Sequence, residues 1–358
     1  MKKVGVSIIG IDGLPPRYGG FETLAEHLTR ILGDAFEFTV FCGKSRGGID
    51  VYNNARLVYL PLKANGIQSI LYDIMSVLIS LRKSDILLVL GVSGAIILPL
   101  IRLLSNKKII VNLDGPEHLR DKRGLCAKLY IKLSELAAIR SADVIIADNA
   151  AIQTYVKQEY NSEAILIEYG GDHASALQLN ADVKAKYGIP KTYAFSVCRI
   201  EPENNIHLIL EAFREAKDHC LMLVGNWTNG KYGRHLYKDY HSESNLVLLE
   251  SIYNQQTLNQ LRSNCRMYVH GHSAGGTNPS LVEAMALGLP VVAFDVTYNR
   301  ETTENASLYF KNAKQLIRVI RETTETDLQK VGAKMKEIAK RRYTWKRITN
   351  EYAKLFTS

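Results

Sequence analysis

Gly275-Gly276-Thr277-Asn278-Pro279-Ser280-Leu281-Val282-Glu283-Ala284-Met285-Ala286-Leu287-Gly288-Leu289-Pro290-Val291-Val292 is the stretch on which the reading of the chain turns. A glycine pair leads into small hydroxyl and amide residues, apolar residues recur at helical spacing at Leu281, Val282, Met285 and Ala286, and Gly-Leu-Pro stops the pattern before a β-branched pair. That is a loop, a helix and a strand. Backbone N–H groups from Thr277 to Leu281 then stand at a helix N-terminus, where the dipole and unpaired donors favour an anion such as a diphosphate. Glu283, in the first turns, is expected to point a carboxylate at the same mouth, where it suits a ribose diol better than a phosphate. Taken alone, such a loop is better read as an ordinary αβ unit with a capped helix, so its surroundings decide.

Those surroundings repeat the unit along the whole chain. Short apolar runs at Val4–Ile9, Phe38–Phe41, Leu57–Leu60, Ile86–Leu90, Ile109–Leu113 and Val144–Ala147 predict buried parallel strands. Helical patterns at Phe21–Leu32, Gln68–Arg82, Ala95–Leu104 and Lys122–Ala142 alternate with them. Ile165–Ile167 gives a last short strand, and Tyr169-Gly170-Gly171-Asp172-His173 breaks the alternation. A second series starts with a strand at Tyr193–Cys198 and a helix at Asn205–Ala216, and continues with strands at Leu221–Val224, Leu246–Leu248, Met267–His270, Pro290–Phe294 and Leu308–Phe310. The fold class is therefore α/β, with two Rossmann-like domains and an expected cleft between their strand C-termini. Residues 1–172 are expected to form the first domain, 173–192 a linker region, 193–340 the second domain and 341–358 a final helix.

Composition narrows the setting. A chain of 358 residues that is 46% hydrophobic exceeds what one core usually supports. Its five cysteines, Cys42, Cys126, Cys198, Cys220 and Cys265, are scattered and lack a CxxC, which points to the reducing cytosol rather than to disulfides or zinc. Met1-Lys2-Lys3 followed by Val4–Ile11 resembles a signal peptide, but Asp12 ends the apolar run and the segment reads as a first strand. Ile86–Ile101 carries no charge, yet it is shorter than the roughly 20 residues a span needs.

The net charge of +9 is uneven. Nine Lys or Arg residues face two acids between Lys330 and Lys354, and nine face four acids between Arg102 and Arg140. The C-terminal run suits a solvated helix face. In the other region apolar and basic residues are mixed, in Leu98–Lys108 and Lys122–Lys132, and a peripheral membrane contact is expected there. Nucleic acid is not expected as a partner, because aromatic residues are not clustered among the cations.

Three further segments carry candidate chemistry. In Gly10-Ile11-Asp12-Gly13-Leu14-Pro15-Pro16-Arg17-Tyr18-Gly19-Gly20-Phe21-Glu22, the pair Gly19-Gly20 opens a helix after the first strand, flanked by Arg17, Tyr18 and Glu22. Neither GxGxxG nor GxxxxGK[ST] is present, which argues against a nicotinamide or ATP site. In Val197-Cys198-Arg199-Ile200-Glu201-Pro202-Glu203-Asn204-Asn205, Arg199 ends a strand, where a guanidinium can grip a leaving diphosphate. Finally, Asn112-Leu113-Asp114-Gly115-Pro116-Glu117-His118 ends the fifth strand of the first half; Asp114 or Glu117 can take a proton from an incoming hydroxyl, while Asp114 also fits a helix cap. His270 and His272 lack a third ligand and read as hydrogen-bonding groups, and no metal site is expected.

Taken together, the Gly19-Gly20 loop, the Tyr169–Asp172 turn, Arg199, the Pro279–Val292 segment and the ending Arg342-Tyr343-Thr344-Trp345 resemble glycosyltransferase family 4, the retaining GT-B enzymes, over nearly the whole chain. Arg17–Thr23, Pro202–Asn205 and Gly276–Ser280 are similar to its bacterial polysaccharide rhamnosyltransferase branch. The resemblance implies transfer of a 6-deoxyhexose, L-rhamnose from dTDP-rhamnose, to a sugar on a polyprenyl diphosphate carrier at the inner face of the cell membrane. It implies no cofactor beyond the nucleotide-sugar substrate, and a final helix that crosses back to the first domain. Donor binding would fall to Arg199, Asn204, Thr277, Asn278, Pro279, Ser280, Leu281 and Glu283, with Arg17, Tyr18, Gly19, Gly20 and Glu22 forming a donor or acceptor loop. Two positions depart from the family. Gly275 stands where the first of two glutamates is usual, and Asn204 where a diphosphate-binding lysine is usual. The alternatives are a UDP-hexose donor, a GT-B sugar-nucleotide 2-epimerase, or a non-enzymatic binder of sugar nucleotide or nucleic acid.

Overall fold

The computed structural model describes residues 3–17, 19–44, 46–115 and 124–358. They form two compact units: one comprises Met1–Tyr169 and Lys346–Ser358, the other Gly170–Trp345.

The first unit is built on strands β1 (Val4–Ile9), β2 (Phe36–Cys42), β3 (Val51–Tyr52), β4 (Ala55–Tyr59), β5 (Ile86–Leu90), β6 (Lys108–Leu113), β7 (Val144–Ala147) and β8 (Ile165–Leu166). Helices α1 (Gly20–Leu32), α2 (Gln68–Ser80), α3 (Leu98–Leu104), α4 (Leu125–Ser141) and α5 (Ala150–Tyr160) connect them. The strand order is β3-β4-β2-β1-β5-β6-β7-β8, parallel except for the β3–β4 hairpin. Unbroken apolar runs explain the central strands: Val6, Ile8 and Ile9 of β1 and Leu87 and Leu88 of β5 are wholly enclosed, as expected when helices cover both faces.

Several boundaries move from the sequence expectation. The hairpin strand β3 is an addition, made by Asn53 and Asn54, whose φ values of 49° and 60° give the tight left-handed turn that Asn tolerates. The helix expected over 95–104 begins as a 3-10 turn, Ala95–Ile97, before α3. Residues 122 and 123, expected at the start of α4, lie outside the described residues.

The second unit opens with α6 (Ala181–Tyr187), inside the stretch expected to be linker, capped by the Asn180 side chain on the Val183 amide. Strands β9 (Ala194–Val197), β10 (Leu221–Val224), β11 (Leu246–Leu249), β12 (Met267–His270), β13 (Val291–Phe294) and β14 (Leu308–Phe310) form an all-parallel sheet ordered β11-β10-β9-β12-β13-β14. Its helices are α7 (Ile206–Glu215), α8 (Gly230–Tyr240), α9 (Gln255–Ser263), α10 (Pro279–Ala286), α11 (Thr297–Thr302), α12 (Ala313–Glu322) and α13 (Glu325–Arg342). In α7, Ile206, Ile209, Leu210 and Phe213 fall at helical spacing on one face and are buried with Leu316, Ile317 and Ile320 of α12.

A last helix, α14 (Trp345–Thr357), returns the chain to the first unit from Lys346 onward. Its buried Tyr352 hydroxyl accepts a hydrogen bond from Asn112 Nδ2 of β6 at 2.7 Å. Phe356 packs edge-on against Phe36, with ring centroids 5.3 Å apart. The chain thus leaves the first unit at Tyr169–Gly170 and re-enters it at Trp345–Lys346.

Candidate functional site

Each sheet reverses its strand order once, between β1 and β5 and between β9 and β12. Doubly wound sheets bind their ligands at the carboxyl ends of strands at such a point. In the second unit, the chain leaving β9 and the chain leaving β12 are bound to one another there. Ser273 N donates to Glu203 O at 2.8 Å, and Asn205 Nδ2 to Gly271 O at 2.9 Å. A Cβ at Gly271 would lie 2.1 Å from Asn204 O, so only glycine permits this approach.

Arg199 is exposed on this turn. Asn204 is buried, and both ends of its amide are engaged: Nδ2 donates to Arg199 O at 2.7 Å, and Oδ1 lies 2.8 Å from His272 Nδ1. Because Asn204 Oδ1 accepts, His272 carries its proton on Nδ1. Asn204, expected among the donor contacts, therefore shapes the turn that carries Arg199. His270 lies between Tyr268 and His272, with ring centroids about 6.1 Å from each. Burial, and secondarily the neighbouring His272, lower its pKa to about 3, so it is neutral at physiological pH.

The start of α10 corrects the expected row of free donors. Asn278 is the N-cap, and its Oδ1 accepts from Ser280 N at 3.0 Å and from Ser280 Oγ at 2.8 Å. Leu281 N is bonded to Asn278 O, and Pro279 has no N–H to give. Of the five positions from Thr277 to Leu281, these last three therefore offer no free backbone donor. The cap that makes the helix start also consumes its amides. Thr277 is buried, Pro279 and Ser280 are half-buried, and Leu281 is enclosed in the core. Tyr268 OH donates to Ser280 Oγ at 3.0 Å, fixing the helix start to β12.

Glu283 does not project into open solvent. The residue is only 9% exposed, and its carboxylate lies between two partners. Arg262 Nη1 of α9 donates to Oε2, and His173 Nε2 lies 3.0 Å from Oε1. Trp345 Nε1 donates to His173 Nδ1 at 2.9 Å, so His173 is the Nε2–H tautomer and itself donates to Glu283. Burial alone would raise the Glu283 pKa, but the Arg262 guanidinium and the His173 bond overcome it and hold it at about 2.

The glycine turn before His173 makes this possible. A Cβ on Gly170 would lie 2.5 Å from the Trp345 ring, and one on Gly171 would lie 2.3 Å from Val282 O. Gly171 N donates to Tyr343 O at 2.8 Å, and Asp172 Oδ1 accepts from Trp345 N at 2.8 Å. Sequence reasoning named this turn and Trp345 as parts of a family resemblance without giving either a role, and it gave none to His173 or Arg262. The glycine pair before Asp-His was an available signal for the first. Arg262 sits in a polar helix where nothing local marks it as 99% buried.

This pair gives a pH prediction. The Glu283 carboxyl is held below its ordinary 4.5, so its stabilisation is fully present above about pH 4.5 and is lost as the pH falls toward 2. Glu283→Gln is expected to be about 3 kcal/mol less stable than the parent near neutrality, with the gap closing across that window in denaturant titrations. A pH-independent gap would contradict the ion pair.

In the first unit, Gly19 takes φ 122° and precedes α1, which Gly20 opens. Glu22 is buried, with Oε2 accepting from Arg17 N at 2.6 Å and Oε1 from Arg46 Nη2 at 3.1 Å. Arg46 also donates to Asp12 Oδ2 at 2.9 Å and to Pro15 O at 2.5 Å. Glu22 thus braces the loop that presents the exposed Arg17. Tyr18 and Glu117 lie outside the described residues. Asp114 is half-buried after β6, and together with Asp148 it adds to the burial that raises the pKa of enclosed Tyr169.

Two doubly wound parallel sheets, each with one switch point, are the architecture of the GT-B fold. Comparison with known proteins fits that class. Residues 181–342 match the family described as glycosyl transferases group 1, and residues 2–172 match a domain of unknown function, DUF1972. Sucrose-phosphate synthase from Thermosynechococcus elongatus superposes with a TM-score of 0.83 at 17% identity, over 99% of this chain and 98% of that one. Anabaena Alr3699/HepE, solved in complex with UDP and glucose, gives 0.78 at 15% identity over 99% and 100%. A glycosyltransferase from Rickettsia africae gives 0.72 at 12% over 99% and 98%. A search of curated proteins finds no match. The chain is a glycosyltransferase of GT-B fold whose second unit carries the group 1 domain.

Proposed function

We propose that the protein is a retaining glycosyltransferase that moves a 6-deoxyhexose, L-rhamnose from dTDP-rhamnose, to a sugar on a polyprenyl diphosphate carrier in surface polysaccharide assembly. The observation that carries the site assignment is the binding of the Arg199 turn to the chain before α10, at the switch point of the second sheet. Arg199 stabilises the leaving nucleoside diphosphate. Glu283, oriented by Arg262 and His173, keeps lone pairs for the ribose hydroxyls, because an ionised carboxylate has about four acceptor sites. Asp114 or Glu117 assists the incoming hydroxyl. Attack on the leaving group's own face needs no enzyme nucleophile, and Arg199 meets the diphosphate charge without a metal.

The donor sugar is read from the loop that contains Gly275. With φ 94°, Gly275 occupies backbone space that a glutamate enters only under strain, so the loop itself is built without the carboxylate that would hold donor hydroxyls. That supports a donor with fewer hydroxyl contacts. An acceptor anchored in a bilayer requires transfer at a membrane surface, which this proposal sets at the cytoplasmic face.

The test is incubation with a panel of nucleotide-sugars, with and without a short-chain lipid diphosphate sugar, followed by mass spectrometry. Transfer of a deoxyhexose, dependent on acceptor and undiminished by EDTA, is expected. Release or epimerisation of donor without acceptor would support the 2-epimerase reading instead. UDP-hexoses belong in the panel, because a structural neighbour was solved with UDP and glucose.

A further inference from the structure

Helices α2, α3 and α4 carry the β4-to-β5, β5-to-β6 and β6-to-β7 crossovers, which all step in one direction across the first sheet. Right-handed connections therefore lay them on one face of it, opposite α1. The 3-10 turn Ala95–Ile97 packs against both α2 and α4, and α3 packs against α4, so the three helices form one continuous layer.

The outer surface of that layer is apolar. Ile67 ahead of α2 is 90% exposed, and Leu71, Met75 and Leu78 continue its stripe at helical spacing. Leu103 on α3 is 83% exposed, with Leu100 and Leu104 beside it. On α4, Leu125 is 86% exposed, and Leu129 and Leu133 follow at four-residue intervals. Single exposed leucines are ordinary, but a run of them across three adjacent helices marks a contact surface.

The charges that the three helices themselves present outward are cationic, two of them, Arg102 and Lys132, being paired with Asp143 and Glu159 from outside these helices. The acids on the three helices, Asp73 and Glu135, are 5% and 1% exposed and present no charge outward. The cations Arg102, Lys128, Lys132 and Arg140 lie along α3 and α4, and Arg82 and Lys83 close α2. Arg82, Lys83, Lys128 and Arg140 take no part in an ion pair among the described residues. A second copy of the chain seated here would bring cations against cations. An anionic surface with an apolar interior meets both features.

We propose that the α2–α3–α4 face docks the protein on a bilayer containing anionic lipid, with the leucines in the interfacial zone and the cations on headgroup phosphates. Among the described residues no helix is long and apolar enough to cross a membrane, so the protein lies on the surface through this face. The inference extends the proposed site of action but rests on this surface alone, not on the donor or the chemistry.

Sedimentation with vesicles tests it. The intact chain is mixed with phosphatidylcholine vesicles containing about one-third phosphatidylglycerol, or with pure phosphatidylcholine, at low and high salt. It is expected to pellet with the anionic vesicles, less so as salt rises, and weakly with the neutral ones. Leu103→Glu combined with Leu129→Glu is expected to weaken binding about tenfold or more with an unchanged melting temperature, since both side chains are exposed. No pelleting with anionic vesicles at low salt, or equal binding by the double variant, would overturn the proposal. So would self-association in light scattering that the same substitutions abolish. Transfer to a water-soluble short-chain acceptor separates the two proposals: its presence without vesicle binding leaves the transferase standing, and the reverse leaves the docking face.

Discussion

Arg262→Leu is expected to lower the stability of the second unit by about 3–5 kcal/mol, seen as a fall in melting temperature of about 10 °C or more. The substitution is close in volume and fills the site with apolar atoms, so packing alone predicts a small effect. Charge predicts a large one, because Glu283 remains buried with its main cationic partner gone. Replacing both residues, Arg262→Leu with Glu283→Gln, is expected to recover much of the loss, since the uncompensated carboxylate is removed with its partner. An additive double variant would show that the two residues act independently. The His173 bond persists in the single variant and keeps the effect from being larger.

The second large effect falls on catalysis. Arg199→Ala is expected to lower turnover by about 10²–10³, the range for removing one donor that stabilises charge developing in the transition state. Folding should be little affected, because Arg199 is exposed and the turn is held by Asn204 through the Arg199 carbonyl, which alanine retains. Arg199→Lys is expected to restore only part of the rate, since a point charge replaces a bidentate fork. A wild-type rate in Arg199→Ala, with the fold intact, would remove the residue from the mechanism.

The same contrast between exposed and buried groups marks what the sequence disclosed. Strand and helix positions were legible because a parallel sheet covered on both faces needs unbroken apolar runs, and β1, β5, β7, β10 and β12 have the bounds those runs predict. The hairpin strand β3 was not, since two residues carry too little pattern; the Asn53-Asn54 turn was its only mark. Helix α6 was hidden in a polar stretch, with Asn180 as its cap signal. Among the candidate residues of each unit, the Gly-Gly loops and Arg199 stand out because backbone approach and strand ends have local signatures. The setting of Glu283 does not. Arg262 is 21 residues before it and His173 is 110 before it, and no local pattern joins them. Likewise Arg46 reaches Asp12 and Glu22 from a glycine-rich segment that reads as a plain loop. The expected amide row at 277–281 is interrupted at 279–281 for a related reason: a good N-cap residue signals a helix start and simultaneously occupies its donors.

The central claim is that the turn after β9 and the chain before α10 receive a nucleoside diphosphate through Arg199. Calorimetric titration of dTDP and thymidine into the wild-type chain and into Arg199→Ala tests it without knowledge of the acceptor. The diphosphate is expected to bind the wild type much more tightly than the nucleoside, and to lose about tenfold or more in Arg199→Ala while thymidine binding is unchanged. Equal affinity of the wild type for dTDP and thymidine, or an undiminished dTDP affinity in Arg199→Ala, would contradict it.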